Sequence, residues 1–430
     1  MNLWPIALFL ALLAMNTPVA VAMGAGALLF FLDQQGLPMT IFTQRLMSSA
    51  DSFPLLAIPM FTLAGVIMNH SGITGRLLNL AEVLVGHMAG GLAQANVVLA
   101  MLMGFESGSA SADAAMQSKM LGNEMIRRGY APPFAAAVVA ASAVITPMVP
   151  PGLAFIIYGY LAGVSVGRLF MAGLVPALML MTALMFVVRY LSIKRGYKPV
   201  REKAARPGEI LAAIAHSGWA LTVPVVIVFG LRDGLFTPTE AGAVIAIYSM
   251  FVGFFIYREL KIAMILPIIT EAALATAPIM FIIMAADSFG FYMTVEQVAS
   301  RAAGALTALT TSPLMMLIIV NFFLLGLGML LESIAAMILM TPILAPLAIQ
   351  LGIDPVHMGI LIVLNLVIGA IHPPVGTLMF IACGVLRVKI ADFTVAVFPL
   401  LIAEIAVLAL LVLFPALCLT VPNWVFGPGH

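Results

Sequence analysis

An all-α polytopic membrane protein, built from two related halves, is the fold class the sequence predicts, and three observations predict it. The chain is 63% hydrophobic and only 9% charged, with a mean hydropathy of +1.16; a soluble domain carries roughly 25% charged residues. Apolar runs recur along its length, at residues 3–31, 169–188, 237–256, 313–331 and 394–419. Spanning a bilayer takes about 20 such residues. Because the runs are continuous rather than alternating, helices satisfy the backbone in lipid and a barrel does not. Ten to twelve spans are expected, several of them short or interrupted.

The first run, MNLWPIALFLALLAMNTPVAVAMG, resembles a signal peptide, with small residues at Ala20 to Ala22. It lacks a basic start and many spans follow, so a retained first membrane helix is expected. A net charge of +1 argues against a nucleic-acid or polybasic surface role. Cys383 and Cys418 sit in apolar segments and suggest no disulfide framework. No Walker loop, HExxH, CxxC pair or dinucleotide fingerprint is present, which argues against ATP hydrolysis.

The longest polar run, KRGYKPVREKAARPGE at 194–209, carries six Lys or Arg residues and marks a cytoplasmic linker. It divides a first half, 1–193, from a second, 210–430. Gly129, Pro132, Pro150 and Pro151 recur as Gly352, Pro355, Pro373 and Pro374 (352 − 129 = 223), and Val144-Ile145 as Val367-Ile368. Glu106-Ser107 pairs with Glu332-Ser333 at 226, a shift of three. Each half thus predicts a short re-entrant hairpin, near 104–125 and 328–350, then a proline-broken helix, near 133–163 and 357–386. Proline removes a backbone donor and clashes with the preceding turn. Open backbone at membrane depth survives only where protein or a water-filled cavity surrounds it. Matching interrupted segments in two halves point to a transporter binding site. Spacing alone leaves parallel and inverted repeats both open.

Exposed carbonyls at such a break suit a hard cation such as Na⁺, and free N–H groups at half-helix starts suit an anion. The candidate cation ligands are Ser107, Ser109, Thr146 and Met148 in the first half, and Ser333, Asn365, Gly369 and His372 in the second. Candidate substrate contacts are Ser107, Gly108, Ser109, Pro150, Gly152, Glu332, Ser333, Pro373 and Gly376; Ser111 adds a further hydroxyl. The plainer role for such serines is to bond within helices and let neighbours pack closely. Glu106, Asp113, Asp287, Glu332 and Glu404 lie in apolar surroundings, where each needs a partner or water. Glu106 and Glu332 are the functional candidates. Asp113 is expected to cap or brace its hairpin, and Glu404 to face a partner subunit or serve as a satisfied structural acid. For His372, packing or backbone bonding stands against pH-sensitive coupling. Thr237 to Glu240 reads as a helix cap.

Several segments, in order, carry a family resemblance: DSFPLLAIPMFTLAGVIM, SGSASADAAM, RRGY, the PPG break, VSVGRLFMAGLVP, GLFTPTEAGAV and LMTPILAPLAIQLGIDPVHMGILIVLNLVIGAIHPPVG. Together they resemble the large membrane subunit of tripartite ATP-independent periplasmic (TRAP) transporters over essentially the whole chain. The resemblance implies inverted repeats, an elevator-type transport domain with two hairpins, Na⁺ coupling and a carboxylate-bearing solute. It further implies a bacterial inner-membrane location, a small four-helix membrane subunit as a separate polypeptide, and a periplasmic substrate-binding protein. The chain departs from the usual pattern at His372, where many relatives have Thr, and at Glu106, where a small or amide residue is common. C4-dicarboxylates, sugar acids, sialic acids and keto acids are all compatible cargoes. Two other readings compete. An intramembrane serine hydrolase would use Ser107 and His372, but Phe105 stands where a rhomboid-like pattern needs glycine. A passive channel or scaffold subunit would never accumulate solute.

Overall fold

The computed structural model describes residues 2–34 and 36–427, whose regular elements are all helices, with no strand among them. Among the described residues, seven helices are long and apolar enough to cross a bilayer, or nine if two sharply bent pairs count as spans. This is fewer than the ten to twelve expected, because apolar runs are divided into short pieces such as Gly91–Gly104, Pro355–Gly369 and Thr377–Leu386. The N-terminal helices Trp4–Ala14 and Val19–Asp33 pack on the long helix Ile265–Val295. Phe9, Phe30, Phe31, Phe289 and Tyr292 fill that contact as a separate apolar cluster. Elsewhere Ala57–His70 lies along Pro238–Phe251. The latter begins in a reciprocal cap, with Thr237 Oγ1 accepting from Glu240 N–H at 3.3 Å and Glu240 returning the bond to Thr237 N–H at 2.8 Å.

The two halves repeat one plan. A leading arm, Gly91–Gly104, turns at 105–109 into a returning arm that starts with Ala110–Gln117; in the second half Pro313–Leu330 turns at 331–332 into Ser333–Gln350. The ranges expected for the hairpins, near 104–125 and 328–350, take in the tips and returning arms, and the leading arms lie upstream. A broken helix follows: Pro132–Ser142 and Leu153–Ala162 in the first half, Pro355–Gly369 and Thr377–Leu386 in the second. The first break bends its two pieces by 45°. Proline opens each broken helix, where its missing N–H costs nothing. Ahead of each, Gly129 (φ +88°) and Gly352 (φ +69°) take the left-handed turn that a side chain resists. The returning arms start 223 residues apart (333 − 110) and the exit halves of the broken helices 224 (377 − 153), so the second break carries one extra residue.

The repeats are inverted, and the helix Val166–Arg195 demonstrates it. Its 30 residues span about 45 Å at 1.5 Å each. At its C-terminal end Arg128, Gly129 and Tyr130 line a cleft with Arg195 to Val200, and Tyr130 stacks on Tyr197 at 4.4 Å. At its N-terminal end Ser165 and Arg168 line a cleft with Gly352 to Val356, and Tyr158 Oη donates to Pro355 O at 2.8 Å. Gly129 and its counterpart Gly352 therefore sit on opposite faces. Arg127, Arg128, Lys194, Arg195, Lys198 and Arg201 gather at the first face, the one the positive-inside rule assigns to the cytoplasm. Between the halves, residues 196–206 lie outside helices, and Val200 and Arg201 donate their N–H groups to Gly86 O at 2.8 and 3.1 Å.

Candidate functional site

Both hairpin tips and both helix breaks converge on one small cavity. Its lining comprises Gly108 to Ser111 from the first tip, Glu332 to Ile334 from the second, Pro147 and Ala154 beside the first break, and Val367, Thr377 and Leu378 beside the second. Its volume of ≈ 30 Å³ matches about one water molecule's share of liquid. An organic solute enters only if the tips part.

Backbone close approach seats the first tip. Gly108 has φ +56°, and a Cβ there would lie 2.5 Å from Pro151 O and 3.2 Å from Gly152 Cα. Behind it, Ser107 Oγ donates to Asp113 Oδ1 at 2.7 Å, and Thr146 Oγ1 donates to Asp113 Oδ2 at 2.7 Å. Asp113, fully buried, thus ties the tip to the break, the bracing role expected of it. Its part as the hub of Ser107 and Thr146 was not evident beforehand, because neither residue stands at helical spacing from it. Ser109 caps the returning arm, its Oγ accepting from Ala112 N–H at 3.4 Å. Of the carbonyls near the break, Met148 O lies against Gly173 on the long helix, and Pro147 O lies against Gly152. Pro151 O is the break carbonyl closest to Gly108. Pro150 and Gly152 are buried within the break, and the Pro150–Pro151 and Pro373–Pro374 bonds are both cis.

The second junction is built from neutral groups. Ser333 Oγ donates to Leu366 O at 3.3 Å. Asn365 Nδ2 donates to Asn321 Oδ1 at 2.6 Å and to Asn321 O at 3.0 Å, leaving Asn365 Oδ1 buried without a partner. A Cβ on Gly369 would lie 2.8 Å from Gly328 Cα, so leading arm and broken helix touch backbone to backbone. Gly369 O is engaged by His372 N–H at 3.0 Å, and Ala370 O, which faces Gly376, accepts from Leu378 N–H at 3.0 Å. His372 Nδ1 lies 2.7 Å from Pro373 O, the backbone bonding that is one of the readings open for it beside cation ligation and pH-sensitive coupling. Pro373 is half-buried.

Two expectations about acids need correction. Glu106 and Glu332 are not equivalent: Glu332 caps the second returning arm, as Ser109 caps the first (332 − 109 = 223). Its Oε2 accepts from Ile334 and Ala335 N–H at 2.9 and 3.1 Å. Glu106 lies before the first tip, buried, taking the Thr74 hydroxyl at 3.1 Å. The three-residue shift in their spacing marked a coincidence of type. Glu404 is buried inside the chain rather than facing a subunit, and neither carboxylate oxygen has a protein partner among the described residues.

Unlike the returning arms, the exit halves at Leu153 and Thr377 begin at glycine caps, Gly152 and Gly376, with no side-chain cap. At the second, Leu378 and Met379 N–H are taken by Ala370 O at 3.0 and 3.4 Å, so among the described residues the consecutive opening amides left for a ligand are those of the first exit half, at Leu153 and Ala154. The family model for the tripartite ATP-independent periplasmic transporter, DctM component, matches residues 6–417. The chain belongs to this family. It is 39% identical over 95% of its length to the isethionate TRAP transporter permease DctMQ of Oleidesulfovibrio alaskensis, of which it spans 64%. It is 35% identical over 98% of its length to the sialic acid TRAP large permease SiaM of Vibrio cholerae, covering 98% of that chain. The solved YdaH transporter of Alcanivorax borkumensis shares the fold, with a TM-score of 0.68 over 99% of this chain and 100% of that one, at 15% identity. The chain is therefore a multi-pass inner-membrane permease subunit rather than an enzyme. Ser107 bonds Asp113 and His372 bonds a neighbouring carbonyl, so the hydrolase pair does not form.

Proposed function

We propose that this permease carries out Na⁺-coupled uptake of an organic anion, handed over by a periplasmic binding protein and supported by a small four-helix membrane subunit. The carrying observation is the meeting of two tips and two breaks around one cavity. The glycine-capped start of the first exit half, where Ala154 lines the cavity, favours a carboxylate or similar anion there. No Lys or Arg lines the cavity among the described residues, so recognition falls to amides and hydroxyls. At the flanking junctions, the orphaned Asn365 Oδ1 and the buried Asp113 suit a hard cation. The relatives named for isethionate and sialic acid support an acidic cargo. In an elevator-type cycle, the hairpins and broken helices would move as a block against the remaining helices.

Energetics constrain the coupling. Moving one charge through 100 mV involves ~2.3 kcal/mol, so a dianion entering a negative cell is opposed by ~4.6 kcal/mol. Two Na⁺ cancel that term; a third drives a dianion, whereas two already drive a monoanion. At least two are expected, one per junction. The experiment is uptake into proteoliposomes holding the full complex, with external Na⁺ varied against K⁺. Rates should rise with Na⁺ and solute should accumulate. A rate indifferent to Na⁺ removes the coupling, and transport that only equilibrates solute favours a passive channel.

A further inference from the structure

The cleft at the C-terminal end of the long helix has no part in the transport path, yet it is formed as a binding site. Its volume is ≈ 400 Å³, within the range of small-ligand pockets. Arg128, Arg195 and Lys198 stand on its lining, and no carboxylate does. Arg128 is bonded to Glu124 at 2.8 Å. Arg195 lies over the Phe134 ring at 4.9 Å, and neither it nor Lys198 has an acidic partner among the described residues. Stacking and main-chain bonds hold the walls: Tyr197 Oη accepts from Ala131 N–H at 3.0 Å, and Gly90 N–H donates to Tyr197 O at 3.3 Å. A folded frame therefore presents these cations, not a loose linker.

The repeat supplies an internal comparison. In the matching cleft on the opposite face, Leu351 stands where Arg128 is (351 − 128 = 223), and Asp354 is on the lining. The cation of that lining, Arg168, is turned to Asn423 Oδ1 and Gly427 O. The positive-inside rule accounts for Lys and Arg on the cytoplasmic face, but not for their convergence on one concavity. An apolar track also leads there. Phe186, Tyr190 and Ile193 are exposed at helical spacing on the long helix and run out at Lys194 and Arg195. A helix of about 45 Å matches a bilayer with its headgroup layers, which puts those two cations at headgroup level.

We propose that this cleft binds the phosphodiester headgroup of an anionic phospholipid of the cytoplasmic leaflet, with its acyl chains along Phe186, Tyr190 and Ile193. Basic pockets between membrane helices on the cytoplasmic side take such headgroups. Arg195 and Lys198 supply the charge. A seated headgroup joins the turn ahead of the first broken helix, at 128–130, to the linker, at 196–200. Free phosphate offers the same charge without the tails. The assignment does not depend on Na⁺ coupling.

The test uses the purified membrane complex, stripped of lipid in detergent and titrated with phosphatidylglycerol, phosphatidylcholine or inorganic phosphate. Native mass spectrometry counts bound lipid, and melting follows stability. Wild type should retain phosphatidylglycerol over phosphatidylcholine and melt higher with it. Each Lys or Arg near a membrane surface is worth about fivefold in affinity, so Arg195→Gln with Lys198→Gln should weaken phosphatidylglycerol binding about thirtyfold. Lys203→Gln with Arg206→Gln, which removes the same charge from the linker outside the cleft, should leave binding near wild type. If the first pair does not assemble, Lys198→Gln alone should still cost about fivefold. Equal losses in the two double variants would reduce the cleft to diffuse attraction and overturn the assignment. Equal protection by inorganic phosphate would make it a free-anion site and overturn the lipid, as would no preference for phosphatidylglycerol.

Discussion

Replacing Gly108 by alanine should separate the first hairpin tip from the break beneath it. Two costs add. At φ +56° an L side chain costs about 1–2 kcal/mol. The new methyl would also stand 2.5 Å from Pro151 O and 3.2 Å from Gly152 Cα and Leu153 N, all main-chain atoms. Forcing a carbon into a packed contact costs about 1–3 kcal/mol, for about 2–5 kcal/mol in all. Gly163→Ala isolates the second cost, since Gly163 has φ +67° and nothing within 4 Å. The difference of about 1–3 kcal/mol corresponds to roughly a five- to 160-fold loss in a step needing the closed tip. Uptake into proteoliposomes and Na⁺-dependent melting, with Gly163→Ala in parallel, measure it. Equal behaviour of the two variants would refute the claim that close backbone approach seats the tip.

Three further outcomes follow from the same contacts. Gly369→Ala would place its methyl 2.8 Å from Gly328 Cα and should destabilise by about 1–3 kcal/mol; Gly384→Ala, with open space around it, should be neutral or slightly stabilising in melting. Glu332→Ala removes the cap from Ile334 and Ala335 N–H and should cost about 0.5–2 kcal/mol, seen as a lower melting temperature. Tyr158→Phe loses the 2.8 Å bond to Pro355 O that joins the two halves and should cost about 0.5–1.5 kcal/mol, with Na⁺ midpoints unchanged.

Features written as local chemistry were readable in advance. Pro150-Pro151 and Pro373-Pro374 announce broken helices because proline cannot continue the bonding pattern, and both breaks fall there. Thr237 to Glu240 announces a cap through spacing alone. The hairpin register was harder. Glu106 and Glu332 are alike in type, and only the helix starts at Ala110 and Ser333 show that Ser109 is the true counterpart of Glu332. Asp113 drawing in Thr146 from 33 positions away is a tertiary fact that no periodicity carries. The directions of carbonyls, such as Met148 O turning to Gly173, depend on packing between helices and are equally invisible in a one-dimensional string. Glu404 differs for the opposite reason: the rule that a buried acid needs a partner or water is general, and it does not say that this one sits inside the chain with no protein partner among the described residues.

The first tip meets its break through Gly108 and the main chain of Pro151 and Gly152, so that seam depends on where the backbone stops winding rather than on which functional groups surround it. Cavity-facing positions such as Ser111, Ile334 and Val367 stand outside the seam. Under the proposed coupling, exchanging them would retune what the permease accepts without rebuilding the joint assigned to Na⁺, leaving appetite and engine free to evolve on separate schedules.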